Sequence, residues 1–200
     1  MSKLANLMSV FLAVATAAAP ISAMAADKAK ATTAAAIPLT GTIGFVGSKV
    51  TGQHVGNFKS WTGSVALKDG KAAGGKLEFT VQTDSTEVDT AEPNAYTPKL
   101  LEHLKSADFF DVAKFPTATF KSTAIAADGA GFKITGNLTL HGVTKQIGFP
   151  ATVTIAGKDI KGDAEFSINR KDFGIAFAGK PDDLIREGVV LKIHVAGRLP

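Results

Sequence analysis

Apolar and polar residues alternate with period two along most of the chain beyond residue 37. Ile37, Leu39, Gly41, Ile43 and Phe45 oppose Thr40, Thr42 and Gly44, and Trp61, Gly63, Val65 and Leu67 oppose Thr62, Ser64 and Lys68. Leu77, Phe79 and Val81 oppose Lys76, Glu78, Thr80 and Gln82, and Ala118, Phe120 and Ser122 oppose Thr117, Thr119 and Lys121. Further on, Phe132, Ile134, Gly136, Leu138 and Leu140 share one face, as do Val143, Ile147, Phe149, Ala151, Val153 and Ile155, where Pro150 marks an edge or bulge. Ile160, Gly162, Ala164, Phe166 and Ile168 oppose Lys161, Asp163, Glu165 and Ser167, and Val189, Leu191, Ile193 and Val195 close the series against Lys192, His194 and Arg198. Side chains of a strand point alternately to opposite faces, so each run predicts a strand with one buried side.

Asp69-Gly70, Asp128-Gly129, His141-Gly142 and Gly157-Lys158-Asp159 separate these runs with residues that tolerate the positive φ of hairpin turns, which makes neighbouring strands antiparallel. One stretch breaks the rhythm. Tyr96 to Ser122 reads as a short helix, a double-aromatic corner at Phe109-Phe110 and a strand entered through Pro116. Thr97 is placed to cap the helix, Pro98 to open it, and Leu100, Leu101 and Leu104 form its apolar stripe. A lone short helix among strands cannot be the crossover of a parallel sheet, so it plugs or lids an all-β body.

About eight strands wetted on one face imply a sheet closed on its apolar side, because closure removes exposed edges. An up-and-down barrel with a short helical insert is the best fit, and a two-sheet sandwich would use the same alternation. Such a barrel either fills its interior with its own side chains or holds one small ligand. Large inward residues (Phe45, Phe79, Phe120, Phe149, Phe166) mix with small ones (Gly63, Ala118, Gly136, Ala151, Gly162, Ala164). Small inward residues leave volume for a ligand, or they fit the taper of a packed barrel; the pattern allows both. A cavity in this interior would be apolar and its ligand a hydrocarbon chain.

The first 25 residues carry a basic Lys3, an apolar run to about Ala19 and Ala23-Met24-Ala25 as a small-x-small cleavage site, the pattern of a secretory signal peptide. Pro20 and Ser22 break the run, which argues against a membrane anchor, and the chain has no cysteine to acylate or to form a disulfide. Residues 26–36 are a low-complexity tether, and 37–200 make one domain. Without the leader, 21 basic residues face 18 acidic ones, a scattered formal surplus of +3 with no basic run and no aromatic ladder, so no nucleic-acid partner is expected.

Catalytic chemistry finds little support. His54, His103, His141 and His194 are isolated, with no HxH or HExxH spacing, so no metal site is expected. Gly47 to Gln53 lacks the lysine of a phosphate loop, and Asp172-Phe173-Gly174 stands without the other parts of a kinase. No Gly-x-Ser-x-Gly elbow and no cysteine nucleophile are present.

Three stretches in series, Leu101 to Ser122 (LEHLKSADFFDVAKFPTATFKS), Gly136 to Ile147 (GNLTLHGVTKQI) and Ile168 to Ile175 (INRKDFGI), resemble the YceI-like family of bacterial periplasmic proteins. The likeness spans roughly 37 to 197. It implies an extended lipocalin-like antiparallel β-barrel in the periplasm whose long apolar cavity holds a polyisoprenoid or an isoprenoid quinone, with no cofactor and no enzymatic step. Strand phase then suggests Phe79, Val81, Phe120, Ile134, Leu138, Phe149, Phe166, Ile168, Leu191 and Ile193 as lining. Phe109 and Phe110 match the family's aromatic corner and are expected to close one end of the barrel or to anchor the helix. Asn169, Arg170 and Asp172 match the third motif and are expected to hold a turn through hydrogen bonds and an ion pair, so that Asp172→Ala lowers stability. The departure is at the front, where Gly44 to His54 is glycine-rich and spaced differently from the family's Ser-x-x-x-Phe-x-x-x-His run. Rival readings are an enzyme acting on such a lipid and a filled structural barrel; whether two barrels pair is open.

Overall fold

The computed structural model describes residues 35–200; the leader and nearly all of the tether lie outside the described residues. Eleven strands form one antiparallel sheet: β1 (Ile37–Lys49), β2 (Gln53–Phe58), β3 (Trp61–Lys68), β4 (Lys71–Gln82), β5 (Thr86–Val88), β6 (Thr117–Asp128), β7 (Gly131–Leu140), β8 (Val143–Ala156), β9 (Asp159–Asn169), β10 (Gly179–Lys180) and β11 (Asp183–Arg198). β11 also pairs with β1, which closes eight of them, β1-β3-β4-β6-β7-β8-β9-β11, into an up-and-down barrel. These eight are the alternating segments of the sequence.

The three extra strands gave no alternation to read. In β2, Val55 is exposed and Gly56 has no side chain, so its apolar face is missing although its ladder is complete. β2 extends the line of β3 along β1: Gly44 to Ser48 pair with β2, whereas Ile37 and Pro38 pair with β3. β5 likewise extends β4 past a 3-10 turn, Thr83–Ser85, and pairs with β2.

Two irregularities shape the wall. In β6 the register shifts between Ser122 and Ala124, which moves the buried phase from Phe120 to Ile125. β8 changes partner midway, with Val143 to Ala151 pairing with β7 and Thr152 to Ala156 with β9. Pro150 sits beside that change, where a missing N–H is easily tolerated. On the near side of it no ladder joins β8 to β9. Phe149 and Phe166 bridge the seam instead, stacked with centroids 4.0 Å apart and planes 4° from parallel.

Helix α1 (Thr97–Lys105) covers one barrel end, the helix end, where β1 and β9 finish and β11 begins. Thr97 is not its cap. Thr97 is the first helical residue and its hydroxyl accepts from the Asn94 N–H, while the Asn94 side-chain oxygen accepts from the Tyr96 N–H in an Asx turn that aims the chain into the helix. Beyond α1, the Phe110 N–H donates to the Leu104 carbonyl, Asp111 N–H to Ser106 and Val112 N–H to Lys105, so the aromatic corner is tied to the helix by backbone bonds. Past the corner, the buried Thr83 fastens the entry to β6 to the wall, its hydroxyl donating to the Phe115 carbonyl and its N–H to the Pro116 carbonyl.

Two packed clusters divide the interior along the barrel axis. Ile37, Leu39, Val65, Leu67, Ile125, Ile134 and Ile160 fill the far end, and Phe45, Val88 and Leu104, with Phe58, Leu100, Leu101, Phe109 and Phe110 packed on them, close the helix end.

Small inward residues do not all leave space. A Cβ on Gly63 would lie 2.5 Å from a ring carbon of Phe79, and one on Gly56, Gly136 or Gly142 would overlap the rings of Phe45, Phe120 and Phe115. Each glycine is the seat of an aromatic ring, so the volume a side chain would take is already occupied. Gly136→Leu is therefore overpacking whether the barrel is hollow or filled, and it should lower unfolding stability by about 1–3 kcal/mol. Urea denaturation measures this; an unchanged midpoint would mean that the Phe120 ring swings aside freely.

Candidate functional site

Between the two packed clusters the barrel is open. It holds a cavity of about 170 Å³, and the whole unfilled space, including the mouth, is about 1180 Å³. The floor is aromatic: Phe79, Phe120, Phe149 and Phe166, with Phe120 and Phe149 centroids 5.5 Å apart. The roof is aromatic too. Phe45, Phe58 and Phe110 meet pairwise at centroid distances of 5.5 to 5.8 Å, next to Leu104 and Phe109. Ile43, Val81, Leu138, Ile147, Ile168, Leu191 and Ile193 supply the walls.

Of the residues inferred from strand phase, Phe79, Val81, Phe120, Leu138, Phe149, Phe166, Ile168, Leu191 and Ile193 lie on this cavity, as do Phe109 and Phe110. Ile134 does not. It points inward as its phase requires, but it lies below the floor in the packed far end, 4% exposed. Phase gives the face of a strand and not the height along the barrel. The sequence reading also passed over Phe58, Ile175 and Ile185: Phe58 ends a strand without alternation, Ile185 lies at the start of β11 ahead of its alternating part, and Ile175 comes from the irregular run after β9.

That run is held by Arg170, in the 3-10 turn Arg170–Phe173. Its aliphatic stem borders the cavity while its guanidinium turns away and donates to three backbone carbonyls: Nε to Arg186 (3.0 Å), Nη1 to Ile175 (2.6 Å) and Nη2 to Ile185 (3.2 Å). Only 3% of Arg170 is exposed, and burial pushes its pKa below the ordinary value while Glu187 opposes the shift; an arginine stays charged all the same. The guanidinium thus ties the Ile175 carbonyl, in the run after the turn, to the adjacent Ile185 and Arg186 carbonyls of β11, beside the cavity that both isoleucines line. The Asn169 carbonyl oxygen accepts from the Lys171 N–H, and its amide donates to Glu187, which also pairs with Lys171 at 2.7 Å. Those partners hold the Glu187 carboxyl below its ordinary range. The ion pair of this turn is thus Lys171 with Glu187. Asp172 is exposed and makes no hydrogen bond or ion pair among the described residues, so Asp172→Ala should change stability by less than about 0.5 kcal/mol, against the expectation from its motif.

The cavity offers little for chemistry, since its exposed wall is wholly apolar. The histidines, isolated in sequence, mostly meet an aspartate in space: His54 with Asp89 (2.6 Å), His103 with Asp108 (2.8 Å) and His194 with Asp163 (2.7 Å). Of these, only His103 approaches the cavity, packing edge-on against Phe109 and Phe177 with centroids 5.0 and 4.8 Å away. His141 sits in the β7–β8 turn against Phe115. Among the described residues no three His, Cys, Asp or Glu side chains gather to hold a metal ion.

Three comparisons place this geometry. The family model of the YceI-like domain matches residues 31–196. Among curated relatives, a UPF0312 protein of Enterobacter sp. (strain 638) is 40% identical over 126 residues, and Protein YceI of Salmonella arizonae is 38% identical over the same length. Each match takes in 60% of this chain and 62% of the relative, so it spans less than two thirds of their length. Among solved structures, BcnA of Burkholderia cenocepacia superposes with a TM-score of 0.68 at 25% identity, covering 78% of this chain and 95% of that one. A YCEI protein of Campylobacter jejuni gives 0.56 at 26% identity, covering 72% and 84%.

One further contact joins the strand ends at the helix end. Lys49 at the end of β1 forms an ion pair with Asp183 at the start of β11, and the Thr51 N–H and hydroxyl also donate to that carboxylate. The hydrogen bond from Lys49 is the main cause that depresses the Asp183 pKa below its ordinary value. A carboxyl depressed in the folded state stabilises above its unfolded value, about 3.9, and loses that contribution as the pH falls through the folded value. Below about pH 4 the melting temperature of the wild type should fall more steeply than that of Asp183→Asn. Parallel melting curves from neutral pH to pH 2.5 would show that the clamp adds nothing.

Proposed function

The chain belongs to the YceI-like family, and on that premise we propose that it is an exported binding protein that carries the hydrocarbon chain of a polyisoprenoid or isoprenoid quinone in its barrel. The observation behind this reading is the wholly apolar cavity enclosed between two aromatic layers. Such a space rewards transfer of hydrocarbon from water by about 0.8 kcal/mol per methylene, and it holds no polar partner for a hydrophilic solute. A chain of tens of carbons would exceed the practical affinity ceiling of roughly 20 kcal/mol on that basis alone, so ordering the chain and partial burial absorb much of the gain.

The size of the cavity says how loading works. At about 170 Å³ it takes only a small part of a long chain, so one boundary must move. The floor belongs to the packed core of the far end, whereas the roof belongs to α1, the aromatic corner and the smaller cluster around Phe45. Loading therefore lifts the roof. The polar head stays outside, because the wall has nothing to bind it. Action on the lipid as an enzyme has weaker support, since the cavity wall exposed among the described residues is apolar. The signal-peptide pattern of the leader supports export of the carrier to the periplasm.

Native mass spectrometry of the mature protein from a periplasmic extract tests the reading directly. A stoichiometric adduct whose extracted mass falls on an isoprenoid ladder is expected; a bare protein that takes up neither added polyprenol nor quinone would refute it. A variant adds a second check. Ala118 lines the cavity and is a small residue with room beside it, unlike the ring-seated glycines. Ala118→Phe should cut lipid uptake roughly tenfold or more, the loss of at least two methylenes of burial, while the barrel still folds cooperatively. Full uptake by that variant would place the ligand elsewhere.

A further inference from the structure

The interior is asymmetric along its axis. Beneath Phe79, Phe120, Phe149 and Phe166 the barrel is packed with Ile134, Ile125, Val65 and Leu67, and above them it is open. The four rings are themselves held firmly. Phe79 lies on Gly63 and Phe120 on Gly136, where no side chain competes for the ring's place, and Phe79 also meets the Trp61 ring edge-on at 5.9 Å. Phe149 is 3% exposed and stacks on Phe166 across the stretch where β8 and β9 share no ladder. A ligand entering from the helix end meets this layer as a wall of rings.

We propose that these four phenylalanines form a fixed floor that sets how much of an apolar chain the barrel buries, and so determines its chain-length selectivity. The inference rests on the carrier reading and adds a limit to it. Every methylene between floor and mouth leaves water on binding; every one beyond that length stays in solvent. Affinity should then rise roughly fourfold per added methylene until the chain reaches the floor and stay level for longer chains. The head group plays no part in where that plateau falls.

Phe149 is the member to change, because its stack with Phe166 joins strands at a place without backbone hydrogen bonds, so truncation removes packing and leaves the ladders whole. Phe149→Leu is the milder companion if Phe149→Ala does not fold. The probes are saturated primary alcohols from hexanol to octadecanol, competed in pairs and read by native mass spectrometry on the mature protein. The wild type is expected to show a plateau, and Phe149→Ala a plateau at longer chains, with the ratio of long-chain to short-chain affinity raised about tenfold or more at roughly fourfold per newly buried methylene. Phe149→Leu should shift it in the same direction by less. A plateau at the same length in a folded variant would overturn the floor while leaving the carrier intact, as would affinity in the wild type that keeps climbing to octadecanol. Failure of the wild type to bind any member of the series would overturn both.

Discussion

The seating of aromatic rings on glycines is the contact on which this barrel most depends. Phe45 on Gly56, Phe79 on Gly63, Phe120 on Gly136 and Phe115 on Gly142 each press a large apolar face against bare backbone. A ring in such a seat covers the backbone of the neighbouring strand, and Phe79 and Phe120 lie low in the floor, which leaves the space above them open. Without the glycines the rings would have to stand up into the lumen and fill it. A barrel with many inward phenylalanines can therefore still be hollow, and the open volume comes from where the rings lie and not from a shortage of large residues.

That arrangement also explains why the barrel is hollow at one end only. The far end uses aliphatic residues, Ile37, Leu39, Val65, Ile134 and Ile160, which branch and interlock across the axis. The helix end uses flat rings against the wall and borrows its closure from α1 and the aromatic corner, past which Thr83 fastens the entry to β6. Stability and capacity are thus assigned to different halves of one domain. The chain has no cysteine, so no disulfide contributes and the packed half carries the stability of the fold.

Much of this was legible in the sequence, and the parts that were not have physical reasons. The eight barrel strands were read because each has one wet and one dry face. Strand β2 was not, because it contributes backbone pairing and a glycine seat, neither of which leaves an apolar alternation. The side of the wall on which Ile134 lies followed from its phase; its height along the axis depends on shear and bulges, such as the register shift after Ser122, which no local pattern records. Ile175 borders the cavity in a run without secondary structure, joined by a buried arginine to the start of β11, an arrangement with no periodic trace. Thr97 and Asp172 show the converse: both sit in suggestive motifs, yet the hydroxyl serves the Asn94 turn and the carboxylate faces solvent.

The change of partner in β8 has a mechanical meaning. A barrel closed all round by ladders has its girth fixed by strand number and shear, and it can widen only by breaking backbone hydrogen bonds. Here the upper half of the wall is interrupted between β8 and β9, and two stacked rings stand in for the ladder. At this height the wall is joined by no backbone pair but by the dispersion contacts of one buried stack, each small and together firm. The wall is an overlapped cuff and not a continuous hoop: where the ladder stops, the girth of the barrel is set by the same two rings that form part of its floor.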